Sequence, residues 1–126
     1  MQIELENLSN ETFISSFGKD YIVIKNKKYF KNIIISEHHI HENIENELFY
    51  DYNFLKKRIH ENSTEKNKIL LFGTGKKIEL LPNKILEFFI KSKIPYEIMT
   101  TISAIKTYNI LLSQGRSTIA FLKLNI

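Results

Sequence analysis

Two glycines flank a threonine at the end of the apolar run Ile69–Phe72, and two lysines follow, so Gly73, Thr74, Gly75, Lys76 and Lys77 have the residue types of a phosphate cradle. Backbone N–H groups opened by glycine, with a lysine nearby, are what a phosphate-binding loop uses. The spacing argues otherwise. A P-loop requires G-x-x-x-x-G-K-[ST], and a dinucleotide loop requires a third glycine, where this chain has Ile78, and a helix directly after the loop, where it has "KKIELLPNK". On pattern alone the glycines read as the permissive backbone of a strand exit. Their place beyond the carboxyl end of a strand, where ligands of open α/β sheets sit, keeps a ligand site open as the alternative.

Other residues with chemical potential fall short of a constellation. His38, His39 and His41 form a short histidine tract; in an extended segment His39 and His41 share a face and His38 points away, and no cysteine completes a site. A solvated loop is expected there, and no metal. His60 falls at the end of a predicted helix, where a cation is favourable. Serine, histidine and aspartate all occur, but without G-x-S-x-G or a spacing that pairs them, so no hydrolase triad is supported and no catalytic residue is assigned.

The stretch Thr101–Arg116 is more informative. Ile102, Ile105, Asn109 and Leu112 fall on one helical face, which sets an amide in an apolar stripe. A buried amide must be hydrogen-bonded or it costs about 1–3 kcal/mol. One reading makes Asn109 a tie to neighbouring backbone, with the glycine loop the expected partner. The other makes Thr101, Thr107, Asn109 and Arg116 the polar lining of a small ligand pocket beneath Gly73, Thr74 and Gly75.

The elements that must position these residues divide the chain in two. Residues 12–18, 20–26 and 27–36 are rich in β-branched and aromatic residues, with "KNKK" as a hairpin turn, and predict an antiparallel meander. "EHHIHENIENELFYDY" predicts a loop and then a short strand at Leu48–Tyr50; an amphipathic helix follows over Asn53–Asn62, and then the loop "STEKNK". From Lys68 the pattern alternates. Strands are predicted at Lys68–Phe72, Pro95–Met99 and Ser117–Leu122, with helices at Pro82–Lys93 and Thr101–Gln114. Strands separated by helices of this length pair in parallel through right-handed crossovers. The expected fold is mixed α/β, an N-terminal antiparallel β layer joined to a parallel βαβαβ unit in one domain.

Composition narrows the function classes. The chain has 126 residues, 43% of them hydrophobic, enough for one core, and no stretch approaches the roughly 20 apolar residues of a membrane span. The start, "MQIELENLSNE", has neither the basic n-region nor the apolar run of a secretory signal. Zero cysteines exclude disulfides and thiolate chemistry, and a cytoplasmic location is expected. The net charge of +4 rests almost wholly on lysines scattered among carboxylates, with Arg58 and Arg116 the only arginines, so a nucleic-acid partner is not expected.

Together, "FGKDYIVIKNKKYFKNIIIS", "LLFGTGKK", "PYEIMTT" and "AIKTYNILLSQGR" resemble, in order and spacing, the small Mth-type domain. That family is widespread in bacteria and archaea, and its eukaryotic relatives include assembly factor three of mitochondrial complex I and an adipogenesis-associated protein. Gly73, Thr74 and Gly75 match the family's loop; Thr101, Ala104, Thr107, Tyr108 and Asn109 match its helix; Gly115 and Arg116 match its exit. Where the family usually has Met-Asp-Thr, Arg-Thr-Tyr-Asn and Glu-Gly-Arg, this chain has Met99-Thr100-Thr101, Lys106-Thr107-Tyr108-Asn109 and Gln114-Gly115-Arg116. Each change removes or softens a charge, and the acids lost are those best suited to acid/base work. The resemblance implies a three-layer fold and a binding role in the assembly of a respiratory or other membrane complex, with peripheral association. The expectation is therefore a non-enzymatic binding or assembly module with a protein partner and no cofactor; the alternative is a small-ligand-binding protein or enzyme with its pocket at Gly73–Gly75.

Overall fold

The computed structural model describes residues 12–62 and 68–124. All of the expected loop "STEKNK" but Lys68, and the acidic amino terminus, lie outside them. Two sheets organise the chain. Strands β1 (Ile14–Phe17), β2 (Ile22–Ile24) and β3 (Lys27–Tyr29) form a three-stranded antiparallel sheet in sequence order. Ile24 pairs with Lys27 across a two-residue turn in which Lys25 and Asn26 both have positive φ, the mirror-image turn that suits the twist of a hairpin.

The second sheet has five strands in the order β5-β4-β8-β6-β7, where β4 is Ile33–Ser36, β5 Ile40–His41, β6 Ile69–Gly73, β7 Tyr96–Met99 and β8 Thr118–Leu122. As expected, β6 runs parallel to both β7 and β8. Helices α1 (Tyr52–Asn62), α2 (Asn83–Lys91) and α3 (Thr101–Ser113) complete the fold.

Three expectations from the sequence need correction. The run 27–36 is not one strand of a meander. It breaks after Tyr29, and β4 crosses to the second sheet, where it pairs antiparallel with β8. The reason is burial: Ile33, Ile34 and Ile35 are all inaccessible, which only a strand covered on both faces can achieve. Residues Ile40–His41, read as loop, form the short edge strand β5. Leu48–Tyr50, read as a strand, lies in a 3-10 helix over Asn46–Tyr50 that buries only Phe49 and has no strand to pair with.

The five-stranded sheet is the middle of three layers. Ile33, Ile35, Leu71, Ala120 and Leu122 face α3 and the small sheet, whereas Ile34, Leu70, Phe72, Ile119 and Phe121 face α1, α2 and the 3-10 helix. This period of two along each strand makes the two cores. The helix ends differ in an informative way. α3 stops in a Schellman motif: Gly115 N–H donates to Leu112 O at 3.0 Å, Arg116 N–H donates to Leu111 O at 3.0 Å, and Gly115 has φ of 74°. α2 stops in the same motif, with Lys93 N–H to Ile90 O and Ile94 N–H to Phe89 O, but the left-handed residue is Lys93, with φ of 55°. A side chain in that conformation costs about 1 kcal/mol relative to glycine.

Candidate functional site

The glycine loop leaves β6 where the amino terminus of α3 packs most tightly on the sheet. A Cβ on Gly73 would come within 2.8 Å of Thr101 Cα and 3.0 Å of Ala104 Cβ, so a glycine there is what lets helix and strand touch. The space a ligand would need beside Gly73 is filled by α3. Gly75 has φ of 99° and turns the chain out of the strand.

The polar groups of the loop are engaged within the protein. Gly73 O accepts from Lys123 N–H, Thr74 N–H donates to Met99 O, and Thr101 N–H donates to Gly75 O, each at 3.0 Å. Gly75 N–H donates to Thr101 Oγ1 at 2.8 Å, and that hydroxyl donates to Lys123 O at 2.6 Å. Thr74 Oγ1 donates to Lys77 O at 2.7 Å and accepts from Glu79 N–H at 3.0 Å. A phosphate cradle needs convergent free N–H groups; Thr74 and Gly75 already use theirs.

Of the residues predicted to line a pocket, the structure gathers Gly73, Thr74, Gly75 and Thr101. Thr107 is half-buried further along α3. Asn109 lies about 12 Å along the axis from Thr101. Arg116 is exposed beyond the opposite end of the helix. The expected bond from Asn109 to the glycine loop is not made. Its Nδ2 donates to Ile14 O at 2.8 Å and its Oδ1 accepts from Ile14 N–H at 3.0 Å. Next to it, the hydroxyl of the fully buried Tyr108 shares a 2.7 Å hydrogen bond with Thr12. The Tyr-Asn pair is thus a latch on β1. The helix face is also rotated from the expected one: Thr101, Ala104, Ile105, Tyr108 and Leu112 are buried, while Ile102 is 38% exposed. Thr100 caps α3 by accepting from Ser103 N–H at 3.4 Å.

A cluster that the sequence did not announce lies beside this loop. Lys123 Nζ donates to Tyr50 Oη at 3.0 Å and to Glu79 Oε1 at 3.1 Å, and the Tyr50 hydroxyl donates to the same Glu79 oxygen. The Lys123 side chain is only 14% exposed and lies 5.2 Å from the centre of the Tyr50 ring. Burial and the Glu79 hydrogen bond push the Tyr50 hydroxyl up, while the hydrogen bonds from Tyr50 and Lys123 hold the Glu79 carboxyl below its ordinary range. Burial pulls Lys123 down, but its bonds to Tyr50 and Glu79 outweigh that and the net shift is upward. At neutral pH the cluster is a lysine cation, a neutral phenol and a carboxylate. None of the three titrates near pH 7, as a general acid or base would.

The cluster has a mechanical effect. Glu79 is anchored twice, by its carboxylate to Lys123 and Tyr50 and by its N–H to Thr74. Its neighbours Ile78 and Leu80 are left outside, 60% and 83% exposed, beside the exposed Lys76 and Lys77. No sequence pattern marks this, because its three anchors are 29 and 44 residues apart. Among the described residues, no group of three or more histidine, aspartate or glutamate side chains could hold a metal, although His39 and His41 do stack with ring centres 6.3 Å apart. No helix there is long and apolar enough to cross a membrane.

Solved structures share this fold. An outer membrane protein from Bartonella henselae is 21% identical, with 91% of this chain and 96% of that one aligned at a TM-score of 0.77. A protein from Bordetella parapertussis is also 21% identical, with coverage of 88% and 93% and a TM-score of 0.75. A Mth938-like domain from Bordetella pertussis is 18% identical, with coverage of 93% and 88% and a TM-score of 0.74. No curated protein matches the chain. The family model described as protein of unknown function (DUF498/DUF598) matches residues 14–123, and the chain belongs to that family, with the Mth938-like fold.

Proposed function

We propose that this chain is a small non-enzymatic binding module that assists the assembly of a protein complex, and that residues 76–80 are where its protein partner docks. The observation that carries this reading is the presentation of Ile78 and Leu80 to solvent by a loop fixed at Glu79. An aliphatic pair exposed on a fixed backbone binds without the ordering cost of a flexible loop. The engaged polar groups of Gly73–Gly75, and the shift of Tyr50, Glu79 and Lys123 away from neutrality, favour binding over catalysis at this loop. The Mth-type relatives in complex I assembly support a membrane complex as the destination, joined peripherally from the cytoplasm.

Ligand-dependent thermal stability separates this reading from a ligand pocket at Gly73–Gly75. A ligand at 100 times its dissociation constant stabilises by about 2.7 kcal/mol. ATP, GTP and NAD are expected to give no saturable shift; a saturable shift with any of them, lost in Thr74→Val, would replace the binding module by a nucleotide-binding protein.

A further inference from the structure

A second surface lies on the other side of the molecule's middle sheet from the Tyr-Asn latch, where α1 and α2 meet. Two cavities open there and share Phe88. One, of about 460 Å³, has Ile59, Phe88 and Ile94 with Lys68, Lys93, His60 and Ser92 around them. The other, of about 230 Å³, is bounded by Tyr52, Phe88, Lys84, Lys91 and Glu87. The Lys56 ammonium stands 5.8 Å from the ring centres of both Tyr52 and Phe88.

Among the described residues that line the two cavities, four lysines (68, 84, 91 and 93) stand with one carboxylate, Glu87, and Lys56 adds a fifth ammonium over the shared Phe88 ring. Lys93 is kept there in a left-handed conformation that glycine, used at the equivalent end of α3, adopts without strain.

We infer that this groove receives an acidic segment of a partner polypeptide, with carboxylates on the lysines and an apolar side chain among Ile59, Phe88 and Ile94. The charge selects an anion. Two features select a polypeptide over a nucleic acid. Lysine ammoniums already stand over the aromatic rings, with Lys84 4.7 Å from the Tyr52 centre, so those faces are not free for bases to stack on. No arginine lines either cavity to grip phosphates or bases bidentately. The apolar floor has no use for a phosphate chain, whereas a leucine or phenylalanine fits it.

The test is fluorescence anisotropy on the full chain with a labelled peptide of alternating glutamate and leucine or phenylalanine, its glutamine twin, its serine twin lacking the apolar residues, and single-stranded oligothymidine. The acidic amphipathic peptide is expected to bind about tenfold more tightly than either twin and to weaken as salt rises. Lys56→Gln and Lys91→Gln are each expected to weaken it roughly two- to fivefold. Lys93→Gly is expected to bind more weakly while melting at a higher temperature, a combination that a merely structural lysine would not give. The Ile78→Ser, Leu80→Ser double variant is expected to bind the peptide as the parent does, which keeps this groove distinct from the 76–80 loop. Equal binding of the acidic peptide and its glutamine twin, parent-like binding by the lysine variants, loss of binding in the loop variant, or tighter binding of oligothymidine would each overturn the inference.

Discussion

Asn109 and Ile14 exchange a closed pair of hydrogen bonds, in which one side-chain amide serves both the N–H and the C=O of a strand residue 95 positions away. The amide of α3 stands in for a neighbouring strand of β1. Asn109→Leu removes both bonds and leaves Ile14 without those partners, so it is expected to destabilise by about 1–3 kcal/mol. Lys106→Ala, on the exposed side of α3, is expected to change stability by less than about 0.5 kcal/mol. Denaturant melts of the two variants against the parent check this; a parent-like Asn109→Leu would mean that the latch does not hold β1.

Gly73→Ala tests the contact between β6 and α3. Its Cβ would meet backbone at 2.8 Å, which a side-chain rotation cannot relieve. The expected cost is about 1–3 kcal/mol, the usual range for overpacking. Gly115→Ala meets nothing within 4 Å, and its only penalty is the left-handed backbone, about 1 kcal/mol. Thermal melts that ranked Gly115→Ala as the more damaging change would contradict the packing role given to Gly73.

The Tyr50, Glu79 and Lys123 cluster predicts an acid-dependent term in stability. Because the Glu79 carboxyl is held below its ordinary value of 4.5, its contribution is present above that pH and is lost as pH falls through the lower folded value. Half of the side chain is exposed, so screening keeps the contribution to about 1 kcal/mol or less. Urea melts of the parent and Glu79→Gln are expected to differ at pH 7 and to converge below pH 4.5. A difference that stayed constant down to pH 3 would mean that the carboxylate charge plays no part in fixing the loop.

Much of the fold was legible because its signals are local. The apolar runs of β6 and β8, the proline before α2 and Gly115 after α3 each announce their element within a few residues. What was not legible depends on distant partners. The crossing of β4 to β8 and the folding of Leu48–Tyr50 as 3-10 helix follow from which surfaces remain to be covered, and a period over three or four residues does not reveal that. The glycine loop and Thr101, singled out by type and spacing, do lie together, as a helix–strand contact bonded within itself. Asn109 was correctly singled out as an amide needing partners, but the rotated face of α3 gave it β1 instead of the loop. Lys123 reads in sequence as one more surface lysine, and only the fold brings it to Tyr50 and Glu79.

Position-specific photo-crosslinking in intact cells tests the docking role of residues 76–80 most directly. With p-benzoylphenylalanine in place of Leu80, and separately in place of the exposed Lys106 as control, irradiation is expected to give one discrete protein adduct from position 80 that is missing from position 106. No adduct from position 80, or the same adducts from both positions, would contradict a partner docked on the loop that Glu79 holds in place.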